Sequence, residues 1–508
     1  MPQSFIKFYV LFEGVDAKIK WEYFVLGIIF LIALGIRLYY VHNTSAYSYD
    51  AYFSIRQIEN IVSTGAPIYH DDLSYSGRDF FVLPFSYYVM AFFRLFLSEK
   101  IAFLIIPNII ASLLVIIVFL IAYEVTKNKI GALFSSALVA LTPVYISKTI
   151  ISLSPLLIAV ILFFLCIYFF MKYEENIVYM WLFLICFVLL LFTHEIAYLL
   201  IFGLLIYLLF LKLENLKHVQ EDIELVLFSL LASLWIFFIV FKKLLLIYGP
   251  VVIWENLPKA LVEQFYVKFD ILTAVYQCGV APFLLGLYAI FLYFFQKKKK
   301  GIYFLISMIL VIFSVTWFGF VQFETSIILL SILLALLSAQ TFVIFVNYLK
   351  KTYFANYLVL FILALFAIGI VLSGAAADQS ARREIFNVPD EKEIQAMEWL
   401  SYTPENSVIA APLNFGHLIT SIGKRGNVMD TAFLLAPDVN QRYEDLIGIY
   451  DKYTPETEAV NVLNKYGVTH IVYVDDEPDY VKDSNCFKLL FDNNIKIYKL
   501  TCRVEEYE

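Results

Sequence analysis

Ionisable residues crowd the end of the first long apolar run. Arg37 stands in Ile36-Arg37-Leu38 and Asp50 in Tyr49-Asp50-Ala51-Tyr52-Phe53; His70-Asp71-Asp72, Arg78 and Asp79 follow. A charge held near hydrocarbon costs a few kcal/mol, so a cluster of them at a bilayer edge points to chemistry. A carboxylate there can take a proton from an acceptor or orient it. Cations beside it can neutralise a departing phosphate. The interleaved tyrosines and phenylalanine can grip an apolar substrate. The competing reading is a solvated loop whose acids only face water.

Other residues of the same kind lie further along. His194-Glu195 sit between two apolar runs, and Lys242, Lys243, Glu255 and Glu263 fall in the stretch 242–270. Lys242 and Lys243 are either a cationic seat for a lipid-borne phosphate or ammonium groups snorkelling to an interface. Asp50, Asp71 and Asp72 are thus candidate catalytic acids. Arg37, Arg78, Lys242 and Lys243 are candidates for the donor phosphate. His194, Glu195 and Glu255 are further site candidates. No His/Cys metal spacing occurs, and His194-Glu195 lacks the second histidine, four residues after the first, of a zinc-binding HExxH. An oxygen-ligated divalent ion, Mg or Mn, would use Asp50 with Asp71 or Asp72, a pattern with no sequence signature.

The elements that position these groups are membrane helices. Of the 508 residues, 61% are hydrophobic and 16% charged, a balance that implies an integral membrane protein. A net charge of -7 argues against a broad basic surface for nucleic acid. Lys18 and Lys20 precede the first apolar run with no small-residue cleavage site after it, as in a signal anchor. Cys166 and Cys186 lie inside apolar runs and read as small core residues. At roughly 17–25 residues per span, the expected spans are Trp21–Val41, Ile101–Tyr123, Ile130–Ile150, Ser154–Met171, Ile177–Thr193 and Ile196–Leu213. They continue with Ile223–Phe241, Ile271–Phe295, Ile302–Phe320, Thr325–Leu349 and Phe354–Leu372, about eleven in all.

Phe80–Leu97 is apolar but carries Pro84 and Arg94. If it does not cross, Lys127/Lys129, Lys172, Lys212/Lys217, Lys297–Lys300 and Lys350/Lys351 all fall on one side. The opposite corners, near Ser152, His194 and Gln322, then carry no Lys or Arg. Basic loops collect in the cytoplasm. The expected arrangement is therefore a cytoplasmic N-terminus, a non-crossing Phe80–Leu97, and an extracytoplasmic C-terminal domain. The expected division is 1–373, a transmembrane domain with an outer loop 42–100, and 374–508, a soluble α/β domain. Gly374-Ala375-Ala376-Ala377-Asp378 reads as the linker. In the tail, Glu391–Ser401 and Pro455–Lys465 read as helices, and Ser407–Ala410 and Thr469–Val474 as strands. Phe487–Phe491 and Ile495–Leu500 read as a hairpin that would bring Cys486 to Cys502, within reach of a disulfide.

Two stretches resemble the catalytic subunit of oligosaccharyltransferase, in the GT-C class of membrane glycosyltransferases. Ile36-Arg37-Leu38 with Tyr49-Asp50-Ala51-Tyr52-Phe53-Ser54-Ile55-Arg56 is similar to that family's IRL…FDPxFNxR. The resemblance implies a catalytic role for Asp50. Ala396-Met397-Glu398-Trp399-Leu400 and Thr403-Pro404-Glu405-Asn406-Ser407-Val408-Ile409 resemble the WL..TPEDSVV that leads into the family's WWDYG motif. There the chain departs from the family, with Pro412-Leu413-Asn414-Phe415-Gly416 in the motif's place. Ile151–Pro155 holds no acid where the second acidic motif is expected, and Gln322 and Glu324 stand near the corner of an expected arginine. Asn414 is the one polar side chain left to contact an acceptor in the WWDYG position. The resemblance implies a GT-C-like glycosyltransferase acting outside the cytoplasm on a polyprenyl-phosphate-linked sugar or oligosaccharide within the membrane lipid. The alternative is a non-catalytic relative that binds a lipid-linked glycan or scaffolds a membrane complex. A secondary transporter is disfavoured, because mid-span segments lack paired charges and broken helices.

Overall fold

The computed structural model describes residues 21–42, 44, 46–215, 220–266, 270–295, 299–353, 357–474, 477–482 and 484–503. Lys18, Lys20, Lys217, Lys297 and Lys298 lie outside them. The first membrane-length helix is α1 (Trp21–His42). The loop after it carries α2 (Ala51–Thr64), a ribbon of β1 (His70–Asp71) and β2 (Arg78–Asp79), and α3 (Phe85–Phe96). With 12 residues α3 is about 18 Å long, short of a hydrocarbon core of ~30 Å. Its Phe92, Leu95 and Phe96 are exposed, and Arg94 anchors it to Glu59 of α2 at 2.7 Å.

The bundle continues with α4 (Ile106–Thr126), α5 (Lys129–Ala140), α6 (Pro143–Thr149), α7 (Leu156–Lys172), α8 (Ile177–Leu191), α9 (Ile196–Leu213) and α10 (Gln220–Val240). After short α11 (Lys242–Tyr248) and α12 (Lys259–Phe265) come α13 (Ile271–Cys278), α14 (Val280–Phe295), α15 (Lys300–Trp317), α16 (Phe323–Leu349) and α17 (Leu358–Phe386). Seven described helices are long and apolar enough to cross a membrane, or nine if each of two bent pairs is one span. That is fewer than the eleven expected, and the difference has local causes. Expected Ile130–Ile150 breaks into α5 and α6, bent by 49° where Pro143 opens the second helix without an N–H. Expected Ile271–Phe295 breaks at Gly279, whose φ of +87° turns α14 by 106° from α13. Expected Ser154–Met171 and Ile177–Thr193 form α7 and α8, of 17 and 15 residues. These broken segments are also the feature whose absence had counted against a transporter.

The core of the bundle lies along α16, buried almost throughout. Arg37 is 2% exposed within the bundle. It donates to Thr149 at 2.8 Å and Asn108 at 3.4 Å and lies 4.9 Å over the Tyr145 ring, joining α1, α4 and α6. The expected linker at Gly374–Asp378 is helical and belongs to α17, which runs on to Phe386. Alanine has the highest helix propensity, and its small side chain lets α17 pack closely on α6. Tyr40 donates to Asp378, and Arg382 reaches it at 2.9 Å, one turn on.

The C-terminal region is a mixed sheet with helices. Asp390 and Glu393 form a capping box on α18 (Glu391–Leu400). Strands β3 (Val408–Ala410) and β4 (Gly426–Asn427) precede α19 (Val439–Tyr450) and α20 (Glu456–Lys465). Then come β5 (His470–Tyr473), β6 (Phe487–Asn493) and β7 (Ile495–Leu500), in the order β4-β3-β5-β7-β6. β3 pairs in parallel with β4 and β5, while β7 is antiparallel to β5 and β6. The expected hairpin is present, and Cys486 and Cys502 are disulfide-bonded with a Cα–Cα distance of 4.8 Å. This region shares one apolar cluster with the first loop. Tyr52, Ile55 and Ile58 pack with Met397, Leu400, Ile409 and Phe415. Packing is thus continuous across the expected boundary at 373/374.

Candidate functional site

The loop after β4, Val428–Ala436, gathers the side chains of the site. Asp430 is buried within it and accepts from Arg78 at 2.9 Å, Ser74 at 2.6 Å, Asn427 at 3.1 Å and the Ala432 N–H at 3.0 Å. Burial alone would raise its pKa; the Arg78 guanidinium and the hydrogen bonds outweigh this and hold it below the ordinary carboxylate range. Arg78 is equally committed. It also donates to Ser74 at 2.8 Å, to the carbonyls of Ala432 and, at 3.1 Å, Leu434, and lies over the rings of Tyr75 and Phe80. Gly416 makes this approach possible: a Cβ there would stand 2.4 Å from the Met429 carbonyl and 2.5 Å from Asp430. Arg78 is therefore a clamp between the first loop and the C-terminal region, with no free donor face for a phosphate. Removing one partner of a buried pair costs about 3–5 kcal/mol. Arg78→Ala is accordingly expected to lower the thermal midpoint of the detergent-solubilised protein sharply, and an unchanged midpoint would refute the clamp.

One residue on, Thr431 donates to Asp50 at 2.7 Å. Asp50 occupies the N-cap position of α2 but caps nothing with its side chain, and it is exposed. It has no ion-pair partner among the described residues. Two residues beyond Thr431, the Phe433 carbonyl accepts from Asn256 at 3.0 Å, which fixes the neighbouring Glu255. Two residues of extended chain span at most about 7 Å. The segments that carry Asp50 and Glu255 are thus tied to adjacent points of one loop. Glu255 accepts from Gln322 at 3.2 Å. It reaches solvent on one side, but crowding by protein on the others and the charge of Glu195 push its carboxyl up to about 7. His194 lies 3.3 Å from Glu195, and burial lowers its pKa despite that neighbour.

Glu255 has a consequence for stability. Its folded pKa lies above the ordinary 4.5, so the folded state binds more protons between those values. Its contribution to stability is fully present below pH ~4.5 and is lost as pH rises toward 7. The thermal midpoint of the wild type minus that of Glu255→Gln should fall across this window. A flat difference would show that Glu255 titrates normally.

The other expected site residues are placed as follows. Both oxygens of Asp71 are taken by Arg56, at 2.5 and 2.6 Å, and one also accepts the Leu73 N–H at 3.0 Å. Of the expected metal pair, Asp71 is thus engaged by Arg56, while one oxygen of Asp50 accepts from Thr431. Among the described residues no group of three or more His, Cys, Asp or Glu is placed to hold a metal. Asp72 is exposed and faces His70 at 3.3 Å. Lys243 pairs with Asp79 at 2.5 Å, Lys242 is exposed without an ion partner among the described residues, and Glu263 and Asn414 are exposed. Arg37 is enclosed within the bundle, away from this loop. Sequence reasoning missed Arg56, Asn256, Asp430 and Thr431. Arg56 lay in the motif-like stretch, and Asp430 stood among Val428, Met429, Ala432 and Phe433, where a lone acid needs a partner. Thr431 carried no signal.

No protein-family model matches the chain. A stretch of 120 residues is 33% identical to dolichyl-phosphooligosaccharide-protein glycotransferase 2 of Archaeoglobus fulgidus, covering 23% of this chain and 19% of that protein. The chain thus matches about a fifth of that relative's length. Over 90% of this chain and 70% of the other, the fold superimposes on the A. fulgidus oligosaccharyltransferase in the apo form, with a TM-score of 0.71 at 15% identity. This chain is related in structure, and distantly in sequence, to the catalytic subunit of oligosaccharyltransferase. The structure of archaeal AglB with an inhibitory peptide and a dolichol-phosphate is equally similar, with a TM-score of 0.71 at 15% identity over 89% of this chain and 69% of the other. ArnT of Cupriavidus metallidurans, bound to undecaprenyl phosphate, reaches 0.59 at 12% identity over 93% and 97%. The fold is therefore a polytopic GT-C-like membrane fold, and the protein is a multi-pass membrane protein.

With this relationship, the departures acquire positions. Phe415, the aromatic kept from the WWDYG position, is buried 5.6 Å from the Tyr49 ring, beside Asp50. Near the acid-free corner Ile151–Pro155, Lys148 pairs with Glu324 at 2.9 Å and with Glu384 at 3.4 Å.

Proposed function

We propose that the chain is a membrane glycosyltransferase that uses a polyprenyl-phosphate-linked sugar donor on the extracytoplasmic face. The observation that carries this reading is Asp50: an exposed carboxylate with no cation partner among the described residues, held by Thr431 at the junction of the first loop and the C-terminal region. Asp50 orients the acceptor or takes its proton, and Glu255, raised to about 7 and so partly protonated at neutrality, is a proton donor on a segment tied to the same Val428–Ala436 loop. Lys242, which among the expected phosphate candidates is exposed and has no ion partner among the described residues, is the first candidate for the donor phosphate. The lipid phosphates named with AglB and ArnT support the choice of donor class. A second reading, a non-catalytic relative that binds a lipid-linked glycan or scaffolds a complex, draws on the capture of Asp71 by Arg56. The test is to purify the full chain, identify bound polyprenyl-phosphate sugars by mass spectrometry, and follow their turnover with Mg, with Mn and with chelator. Bound donor that is consumed supports transfer. Bound donor that is never consumed, under any of the three conditions, favours the second reading.

A further inference from the structure

A cavity of about 660 Å³ opens between α6, α13, α17 and the start of α16, apart from the Asp430 loop. Its size falls within the range of about 300–1,000 Å³ typical of small-molecule sites. We propose that it is a carbohydrate subsite that takes the hydroxyl-bearing face of a neutral glycan. This deepens, and rests on, the reading of the chain as a sugar transferase.

The chemistry of the walls selects the ligand. Ser380, Arg383 and Glu384 of α17 and its C-cap residue Asn387 line it at helical spacing, so the polar end of that helix presents one continuous face. Lys148 and Arg383 bring two cations, and Glu324 and Glu384 two carboxylates. Their charges cancel, and Lys148 is already held by both acids. The cavity is therefore poorly suited to a phosphate or a metal ion. It offers instead donors and acceptors side by side, the pairing that a sugar hydroxyl, itself both donor and acceptor, requires.

Two further observations point to a missing partner. The Oε1 of Gln277, on the cavity wall, is buried and accepts no hydrogen bond among the described residues. An unmade buried bond is costly, so the Gln277 amide gains a partner by turning its oxygen toward a ligand hydroxyl in the cavity. Beside it Tyr276 is 41% exposed, with its hydroxyl fixed by donation to Gln379 at 2.9 Å. A ring held in this way offers an apolar face to the C–H side of a sugar.

The test uses the full chain in nanodiscs free of glycoside detergent. Binding of a panel of defined neutral oligosaccharides is followed by saturation-transfer NMR, in the wild type, Gln277→Leu and Tyr276→Ala. At least one glycan should bind the wild type and bind both variants ten-fold or more weakly. The ligand-free thermal midpoint of Gln277→Leu should stay level or rise, because the change removes an unpaired acceptor. Absence of any binding, or equal binding to all three proteins, overturns the proposal. A second arm presents the same glycan on a polyprenyl phosphate. Tighter binding that still depends on Gln277 assigns the cavity to the donor, and equal binding assigns it to an acceptor glycan; both support the subsite. Gln277-dependent binding in a protein that never transfers sugar would keep the subsite and remove the transferase reading. Transfer without Gln277-dependent binding would do the reverse.

Discussion

Replacing Asp50 with Asn is expected to cut sugar transfer by about 10²–10⁴-fold, the range lost with a general acid–base group, while leaving the protein folded. The structure separates these two effects. Asp50 stands at the N-cap of α2 yet makes no capping hydrogen bond, so the helix does not depend on its carboxylate. It is exposed, so no packing is disturbed. Asn keeps an oxygen to accept from Thr431, so the contact to the C-terminal loop survives. What disappears is the charge. The loss should therefore fall on the chemical step, with an unchanged thermal midpoint and unchanged donor retention. Thr431→Ala should cost much less, since it removes the positioning hydroxyl and not the reacting group. Near-normal turnover in Asp50→Asn would remove this carboxylate from the mechanism. If every acid of the site can be neutralised without loss, the chain is a binding protein.

The site was partly legible in the sequence because its parts are of two kinds. Asp50 stood out because an acid beside a membrane span, inside a motif-like stretch, has few structural explanations, and its role is the proposal that Asp50→Asn tests. The hairpin with Cys486 and Cys502 was legible because alternation and a polar turn fix its register locally. Arg78 and Asp71 looked equally suited to chemistry, but their charges are spent on Asp430 and Arg56. Those pairs join residues up to 352 apart in sequence, and no local pattern announces such a contact. The Gly374–Asp378 stretch misled for the opposite reason. The change of composition after Leu372 suggested a linker, whereas alanine's helix propensity carried α17 through it. The span count failed where a proline and a positive-φ glycine bent two apolar runs that hydropathy alone joins. What sequence conveys well is residue chemistry and local periodicity; what it conveys poorly is which charges are already paired.

The second large effect concerns the acceptor: a peptide carrying Asn-x-Ser/Thr is expected to receive no sugar in a sequon-dependent manner. Reading the sequon hydroxyl requires polar groups at a fixed place, and a site built for it discriminates by up to about 10⁴–10⁵. In the related family the resemblance assigns this task to the WWD part of WWDYG. Here those positions are Pro412, Leu413 and Asn414, on a single turn closed by the Phe415 N–H donating to the Pro412 carbonyl at 2.9 Å. Pro412 has no N–H to offer. Leu413 packs with the apolar cluster of Tyr75, Met429 and Phe433. Asn414 is exposed, free to bond a hydroxyl but without a carboxylate's charge and without walls to exclude water. The part of the motif that the chain keeps does different work. Phe415 packs on Tyr49 and Gly416 admits Asp430, so both serve the joint that holds the Asp50 loop. The scaffold side of the motif is thus retained while its reading side is gone, which fits transfer to a lipid-linked glycan or to a protein site chosen by other means. The native lipid-linked donor incubated with a fluorescent sequon peptide decides it. Glycopeptide that forms with Thr in the sequon and vanishes with Thr→Ala would show that another loop reads the hydroxyl, and Lys242–Asp270 would then be the first place to search.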